Sequence, residues 1–359
     1  MRAAIFVGPP ELSVEDVTPL DPGPRDVVVR IGASGVCHSD VSVTNGSLPI
    51  PPPCVLGHEG AGTVEWIGPE VSRVAVGDRV IASFVPACGV CFYCLHGQSN
   101  LCELGNEINF LPKVTRADGS TAIALTALGT FADQMTVHEA CVVRVETDVP
   151  DEQLALIGCG VTTGVGAALN TAKVEPGSSV AVIGCGGVGQ AVIQGARIAG
   201  AGRIIAVDPV ELKRKAAEQL GATDFVDPAD GDPIAQVHAL TGGRGADYAF
   251  EVIGLPETIN QAFATARRGG TVVVVGASRI ESQVTLSGFG LFYEEKKLLG
   301  CVYGSSQVRR DFPRFIGLVE TGRLDIANMV SAQIGLDDVN EAFRAMQAGE
   351  VIRSVITHA

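Results

Sequence analysis

The sequence predicts an α/β protein of two lobes, one β-rich and barrel-like, the other built on a doubly wound parallel sheet. Three observations carry the prediction. The 359 residues exceed what one hydrophobic core organises, since single cores stop growing at about 250–300 residues. The first 150 residues are rich in Val, Gly and Pro, in short alternating runs such as Asp26-Val27-Val28-Val29-Arg30-Ile31, the signature of strands joined by tight turns. From about residue 178 the texture becomes strand, glycine turn, helix, strand, the pattern of a parallel sheet covered by helices.

In chain order, Ser179–Ile183 and Arg203–Val207 read as strands, with further units at 246–252 and 271–276. After about residue 303 short mixed elements return and end in the strand-like Ser354-Val355-Ile356, so the tail is expected to fold back onto the first lobe. The lobes are therefore assigned to residues 1–160 with 304–359, and to residues 161–303. No internal repeat or low-complexity segment interrupts this plan.

Composition narrows the function. With 46% apolar and 18% charged residues the chain can bury sizeable cores. No apolar run reaches the roughly 20 residues of a membrane helix, and the N-terminus lacks a signal-peptide core; a soluble, cytoplasmic protein without a membrane partner is expected. A net charge of −14 repels a phosphate backbone, which argues against nucleic acid as a partner. Ten cysteines without an export signal favour thiolate–metal chemistry in a reducing compartment over a disulfide framework.

The segment Gly184-Cys185-Gly186-Gly187-Val188-Gly189 follows the apolar strand Val180–Ile183 and opens the helical run Gln190–Ala199. In that context G-x-G-x-x-G is a dinucleotide fingerprint: a tight turn, a close backbone approach to a pyrophosphate, and a helix packed on a strand. The helix start offers free N–H groups to the anion. Asp208 ends the next strand, placed to accept from an adenosine ribose diol and to repel a 2′-phosphate, so NAD is favoured over NADP. Lys213 stands a turn into the following helix and can reach the same ribose. The lobe is thus read as a Rossmann fold.

Cys88, Cys91, Cys94 and Cys102 bring four thiols into one short segment, which suits a closed, structural zinc. Two disulfides are one alternative. An iron–sulfur centre is another, although a ferredoxin-like run places its fourth cysteine after three residues and before proline, whereas here seven residues intervene and Glu103 follows. Separately, Cys37-His38-Ser39-Asp40, Gly57-His58-Glu59-Gly60 and Cys159 supply thiols, an imidazole and carboxylates. A Cys–His–Cys set with an open fourth position is the arrangement of catalytic zinc; taken singly, a lone Cys is more often a buried small hydrophobe and a lone His a satisfied core group.

Together the Gly-His-Glu segment, the four-cysteine segment and the glycine fingerprint, in this order and spacing, resemble the zinc-dependent alcohol dehydrogenases of the medium-chain dehydrogenase/reductase superfamily across nearly the whole chain. The resemblance implies a GroES-like catalytic domain carrying two zinc ions, an inserted Rossmann domain binding NAD(H), and a cleft between them. It implies Cys37, His58 and Cys159 as catalytic zinc ligands, Glu59 as the carboxylate behind that zinc, and Asp40 as the group that orients His58. A zinc so held lowers the pKa of an alcohol oxygen, and hydride passes to the nicotinamide. Ser39 corresponds to the hydroxyl that starts the proton relay. His38 and Arg353 correspond to groups on the pyrophosphate, and Leu48 and Phe84 to an apolar substrate pocket favouring hydrophobic primary or aromatic alcohols.

Two departures bear on the substrate. Ser42 stands where many members end the relay with histidine, so water is expected to serve. The run Glu103–Glu107 lacks the arginine, and Leu48 the acid, that glutathione-dependent formaldehyde dehydrogenases use. The long stretch from Cys102 to Gly129 matches the dimeric branch, so a homodimer is expected. Cys54, Cys141, Cys185 and Cys301 are expected as buried thiols, and His96, His138, His238 and His358 as surface or packing residues. Two rival readings remain: a reductase of the same fold acting on an iminium or activated alkene, which the missing relay histidine favours, and a non-catalytic zinc-stabilised NAD-binding protein.

Overall fold

The structure, a computed structural model, describes residues 1–9 and 12–358. These divide into two compact units, one of residues 1–159, 306–322 and 330–359, the other of residues 160–305 and 323–329. The second unit thus takes Arg323–Met329, which the sequence places with the first.

In the first unit five strands close a small barrel, and a larger sheet is built around the strand Asp26–Gly35. The first half of that strand pairs with Gln134–His138 and its last residues with Arg353–Thr357. Its other edge pairs along the whole length with Gly60–Ile67. The same register that buries Val27, Val29 and Ile31 on one face therefore brings three chain segments to one end of this strand. Cys37 leaves that end, His58 and Glu59 enter the neighbour, and Arg353 begins the strand on the other side. The returning C-terminal strand is the one expected from Ser354-Val355-Ile356.

The second unit holds a six-stranded parallel sheet: Ser179–Ile183, Arg203–Val207, Asp224–Val226, Ala246–Glu251, Ala266–Val274 and Lys297–Gly300. Numbered along the chain, their spatial order is 3-2-1-4-5-6, the doubly wound Rossmann arrangement. Alternation divides its two cores: Val180 and Val182 point into one apolar cluster, Ala181 and Ile183 into the other. Both faces are covered, as a parallel sheet requires. The glycine turn lies at the carboxyl end of strand 1, beside strand 4, where the strand order reverses.

One element departs from expectation. The helix Asp151–Ala172 is long and apolar enough to cross a membrane by length and composition, yet most of it is buried inside the protein, which marks a core helix. The glycines and threonines between Gly158 and Gly166 break its apolar letters, so no continuous run shows in the sequence.

Candidate active site and metal centres

Cys37 precedes the short helix His38–Thr44, whose start is closed by Asp40: its Oδ2 accepts the Cys37 N–H at 3.2 Å. The other oxygen accepts the Gly57 N–H at 3.0 Å and faces His58 Nδ1 at 3.2 Å. One fully buried carboxylate therefore fixes both loops and the imidazole's orientation, the task expected of it. Gly57 takes φ +88°, and a Cβ there would lie 2.5 Å from the Phe131 nitrogen, so only glycine turns the chain into His58 at this point.

Cys159 stands in a π-helical turn, Ile157–Val161, a local widening often found at functional positions. One donor atom from each of Cys37, His58, Glu59 and Cys159 lies within 4.8 Å of the others, and all four residues are buried. His58 Nε2 is buried and has no hydrogen-bond partner. A buried ring nitrogen left unsatisfied beside two thiols is what a metal ligand looks like without its ion, so the residues fit a zinc.

The electrostatics agree. Hydrogen bonding from Cys159, followed by the imidazole of His58, holds the Cys37 thiol well below its ordinary range despite burial. The same Cys37 contact, with burial, pushes Cys159 up. Burial pulls His58 down, but Asp40 and Cys37 outweigh it and raise the imidazole. Burial lifts Glu59 to about 7 against the opposing pull of Arg353. The opposite shifts show how strongly the two buried thiols interact, and a cation between them would favour the thiolate form of both.

Glu59 is ion-paired with Arg353, both nearly inaccessible. Gly35 makes room for the pair, since a Cβ there would sit 2.0 Å from Glu59 Oε2. Arg353, expected on a pyrophosphate, is held by Glu59 in this structure. Ser39 is half-buried with Oγ 3.8 Å from Cys37 Sγ; His38 is exposed and Ser42 half-buried. Phe84 sets its ring edge-on to His58, centroids 5.9 Å apart, and lines a cavity of about 450 Å³ with Tyr93, Asn100, Asn106 and Asn109. Leu48 packs against the cluster of Val41, Val43 and Phe343, and Phe84 against that of Val27, Val29 and Met135.

The second cluster is Cys88, Cys91, Cys94 and Cys102, likewise within 4.8 Å of one another. The Cys88–Cys94 and Cys91–Cys102 sulfurs are 3.8 and 3.9 Å apart. Thiolates about 2.3 Å from a central zinc stand about 3.8 Å apart at tetrahedral corners, so the spacing fits that ion and leaves no open corner. The N–H groups of Val90 and Cys91 point at Cys88 Sγ from 3.4 and 3.3 Å, and that of Cys88 at Cys102 Sγ from 3.4 Å. Burial raises Cys91, but the backbone amides of Glu103 and Cys94 outweigh it and bring the thiol down to about 6; burial and the neighbouring thiols push Cys94 up to about 12. None of the ten cysteines is in a disulfide. Sequence reading missed the two arginines that secure this segment: Arg73 donates to the carbonyls of Ala87 and Cys88 at 2.9 and 2.6 Å, and Arg309 to that of Ala87. The arginine and its carbonyl are 222 positions apart, so no local signal reveals the contact.

In the second unit Asp208 Oδ2 accepts the Cys185 N–H and Oδ1 the Val210 N–H, each at 2.9 Å; Lys213 Nζ is 3.9 Å away. The carboxylate thus braces the glycine turn through the Cys185 N–H. A Cβ on Gly186 would meet nothing within 4 Å, leaving open space in front of the helix start at Gly187, which suits a diphosphate. Cys54, Cys141, Cys185 and Cys301 are buried. The His138 ring accepts the Ala140 N–H and that of His238 meets the Ala264 carbonyl, both packing roles.

Comparison with known proteins places the chain. Residues 23–147 match the alcohol dehydrogenase GroES-like domain and residues 187–321 the zinc-binding dehydrogenase domain. An S-(hydroxymethyl)glutathione dehydrogenase of Synechocystis is 40% identical over 99% of both chains. An NDMA-dependent alcohol dehydrogenase of Amycolatopsis methanolica is 38% identical over 94% of this chain and 93% of its own. Among solved structures, the benzyl alcohol dehydrogenase of Acinetobacter calcoaceticus superposes with a TM-score of 0.93 at 32% identity, covering 100% of this chain and 99% of that one.

Proposed function

The chain belongs to the zinc-dependent alcohol dehydrogenases of the medium-chain dehydrogenase/reductase superfamily, and on that premise we propose that it moves hydride between NAD(H) and a hydrophobic primary or aromatic alcohol and its aldehyde. The observation that carries this reading is the convergence of Cys37, His58 and Cys159 with the Ser39 hydroxyl beside them. Zinc bound to those three residues supplies Lewis acidity to a substrate oxygen.

The chain's own residues do the rest. Asp40 holds the His58 ring so that Nε2 faces the thiols. Glu59, kept in place by Arg353, stands behind the ligand set. Ser39 takes the substrate's hydroxyl proton, and water at Ser42 carries it onward. Asp208, with both oxygens already organising the turn, presents a carboxylate to the ribose and disfavours a 2′-phosphate. The Acinetobacter relative's name, a benzyl alcohol dehydrogenase, supports an aromatic alcohol. The Synechocystis relative's name points to a glutathione adduct, which the run Glu103–Glu107 and Leu48 disfavour in this chain. We assign the protein to the cytoplasm as a homodimer.

The test is NADH absorbance with a panel of alcohols and aldehydes, run with both NAD and NADP on protein of measured zinc content. Turnover of benzylic or long-chain alcohols with NAD is expected, and Asp208→Ser should narrow the preference for NAD. Higher kcat/KM with NADPH would overturn the cofactor assignment, and reduction of imines or alkenes without alcohol oxidation would overturn the reaction.

A further inference from the structure

Gln190, the residue after the last glycine of the fingerprint, is fully buried and has no role in the scheme above. Its Nε2 donates to the Cys185 carbonyl at 2.9 Å and to the Lys213 carbonyl at 2.8 Å. Both partners are acceptors, which fixes the orientation of the amide. Its Oε1 is buried with no partner.

The first of those bonds sets the orientation of one peptide unit. Cys185 is held at both ends, its N–H by Asp208 at 2.9 Å and its carbonyl by Gln190. In a planar trans peptide the carbonyl of one residue and the N–H of the next point in opposite directions. Anchoring the Cys185 carbonyl therefore turns the Gly186 N–H away from Gln190; the same residue has open space around it, since a Cβ on Gly186 would meet nothing within 4 Å. The second bond, to the first turn of the helix Glu211–Leu220, stops the amide rotating away. Gln190 also contributes to stability, since it is the side-chain donor to two carbonyls that leucine would leave without it; the unpaired Oε1 offsets part of that gain.

We propose that Gln190 is a positioning residue for the dinucleotide, holding the Cys185–Gly186 peptide with its N–H toward the diphosphate. This rests on the reading that the second unit binds NAD(H). The ligands that separate this role from a packing role are ADP-ribose, which carries the diphosphate, and adenosine, which does not.

Calorimetric titration of the purified full-length protein with ADP-ribose, and adenosine competition against it, is compared among wild type, Gln190→Leu and Gln190→Met. The two variants fill the site differently, so one serves if the other does not fold. The expected result is an ADP-ribose Kd raised roughly 3- to 30-fold, the range for one or two lost hydrogen bonds, with adenosine affinity within about 2-fold; a lower Tm from the two lost bonds is expected in both variants and does not by itself bear on the role, because the two ligands are compared within the same folded variant. Equal weakening of both ligands, or of neither, would overturn the proposal. Wild-type protein that fails to bind ADP-ribose would instead overturn the cofactor reading, and the proposal with it.

Discussion

The hydroxyl of Ser39 lies beside the ligand set while Ser42, one turn further along the same helix, cannot titrate near neutral pH. Proton removal therefore depends on Ser39 far more than on Ser42. Ser39→Ala should lower kcat/KM for alcohol oxidation roughly 10²–10⁴-fold, the range for a lost positioned proton acceptor, with NADH affinity, followed by fluorescence titration, near wild type. Unchanged oxidation would remove the proton path and promote the iminium or alkene reductase. Ser42→His should raise oxidation, with a pH dependence near about 6.5, if proton exit limits the rate. At this scale the donor residues were legible because their types and order are distinctive. Gly35 and the Glu59–Arg353 pair were not: the pair joins residues 294 positions apart, and the need for glycine at 35 exists only once they meet.

Short segments carry much of the stability. The Cys88–Cys102 segment has little core of its own, with Val90, Phe92 and Leu95 exposed, so its fold depends on the tetrahedral site and the two arginines beneath it. Cys94→Ser should lower Tm and the zinc content of the folded protein, because site formation contributes folding free energy. Mild chelation of wild type should abolish turnover while one zinc per chain remains; metal analysis that returns iron, or a single zinc at the outset, would contradict the assignment. Glu139 plays an analogous part without metal. Its wholly buried side chain accepts from Arg25 at 2.6 Å and from the Ser72 and Arg73 backbone at 2.9 and 3.2 Å. Burial alone would raise this carboxyl, but these donors outweigh it and hold it below the ordinary range. A depressed folded-state value stabilises above the unfolded pKa, roughly 4.3, and that contribution is lost as pH falls through the folded one. Glu139→Gln should therefore lower Tm by roughly 3–10 °C at pH 7 and by progressively less toward pH 3. An equal deficit at both ends of that range would show that the charge is not what matters. The strands were legible from their period, whereas the helix Asp151–Ala172 was obscured by glycines that packing tolerates and propensity does not.

For the molecule as a whole, the sheet that defines the second unit was readable strand by strand, but what its outer edge meets depends on exposure, which letters alone do not give. The strand Lys297–Gly300 ends the sheet order, and around it Phe289, Leu291, Phe292, Tyr293, Leu298 and Val302 are exposed. Phe289 and Tyr293 stack on each other at 5.4 Å between centroids, an apolar face that a lone soluble subunit would leave in water. An uncovered edge strand also offers unpaired N–H and carbonyl groups to any other strand. The homodimer proposed above would meet both needs if it formed here about a two-fold axis, the same strand pairing antiparallel with itself and the same aromatic patch being buried twice. Sedimentation equilibrium should give twice 37.1 kDa. Leu298→Lys combined with Phe292→Glu, which places charge on the edge and in the patch, should shift that mass to the monomer without removing either zinc. A wild-type monomer, or a double variant that remains dimeric, would exclude this edge as the contact.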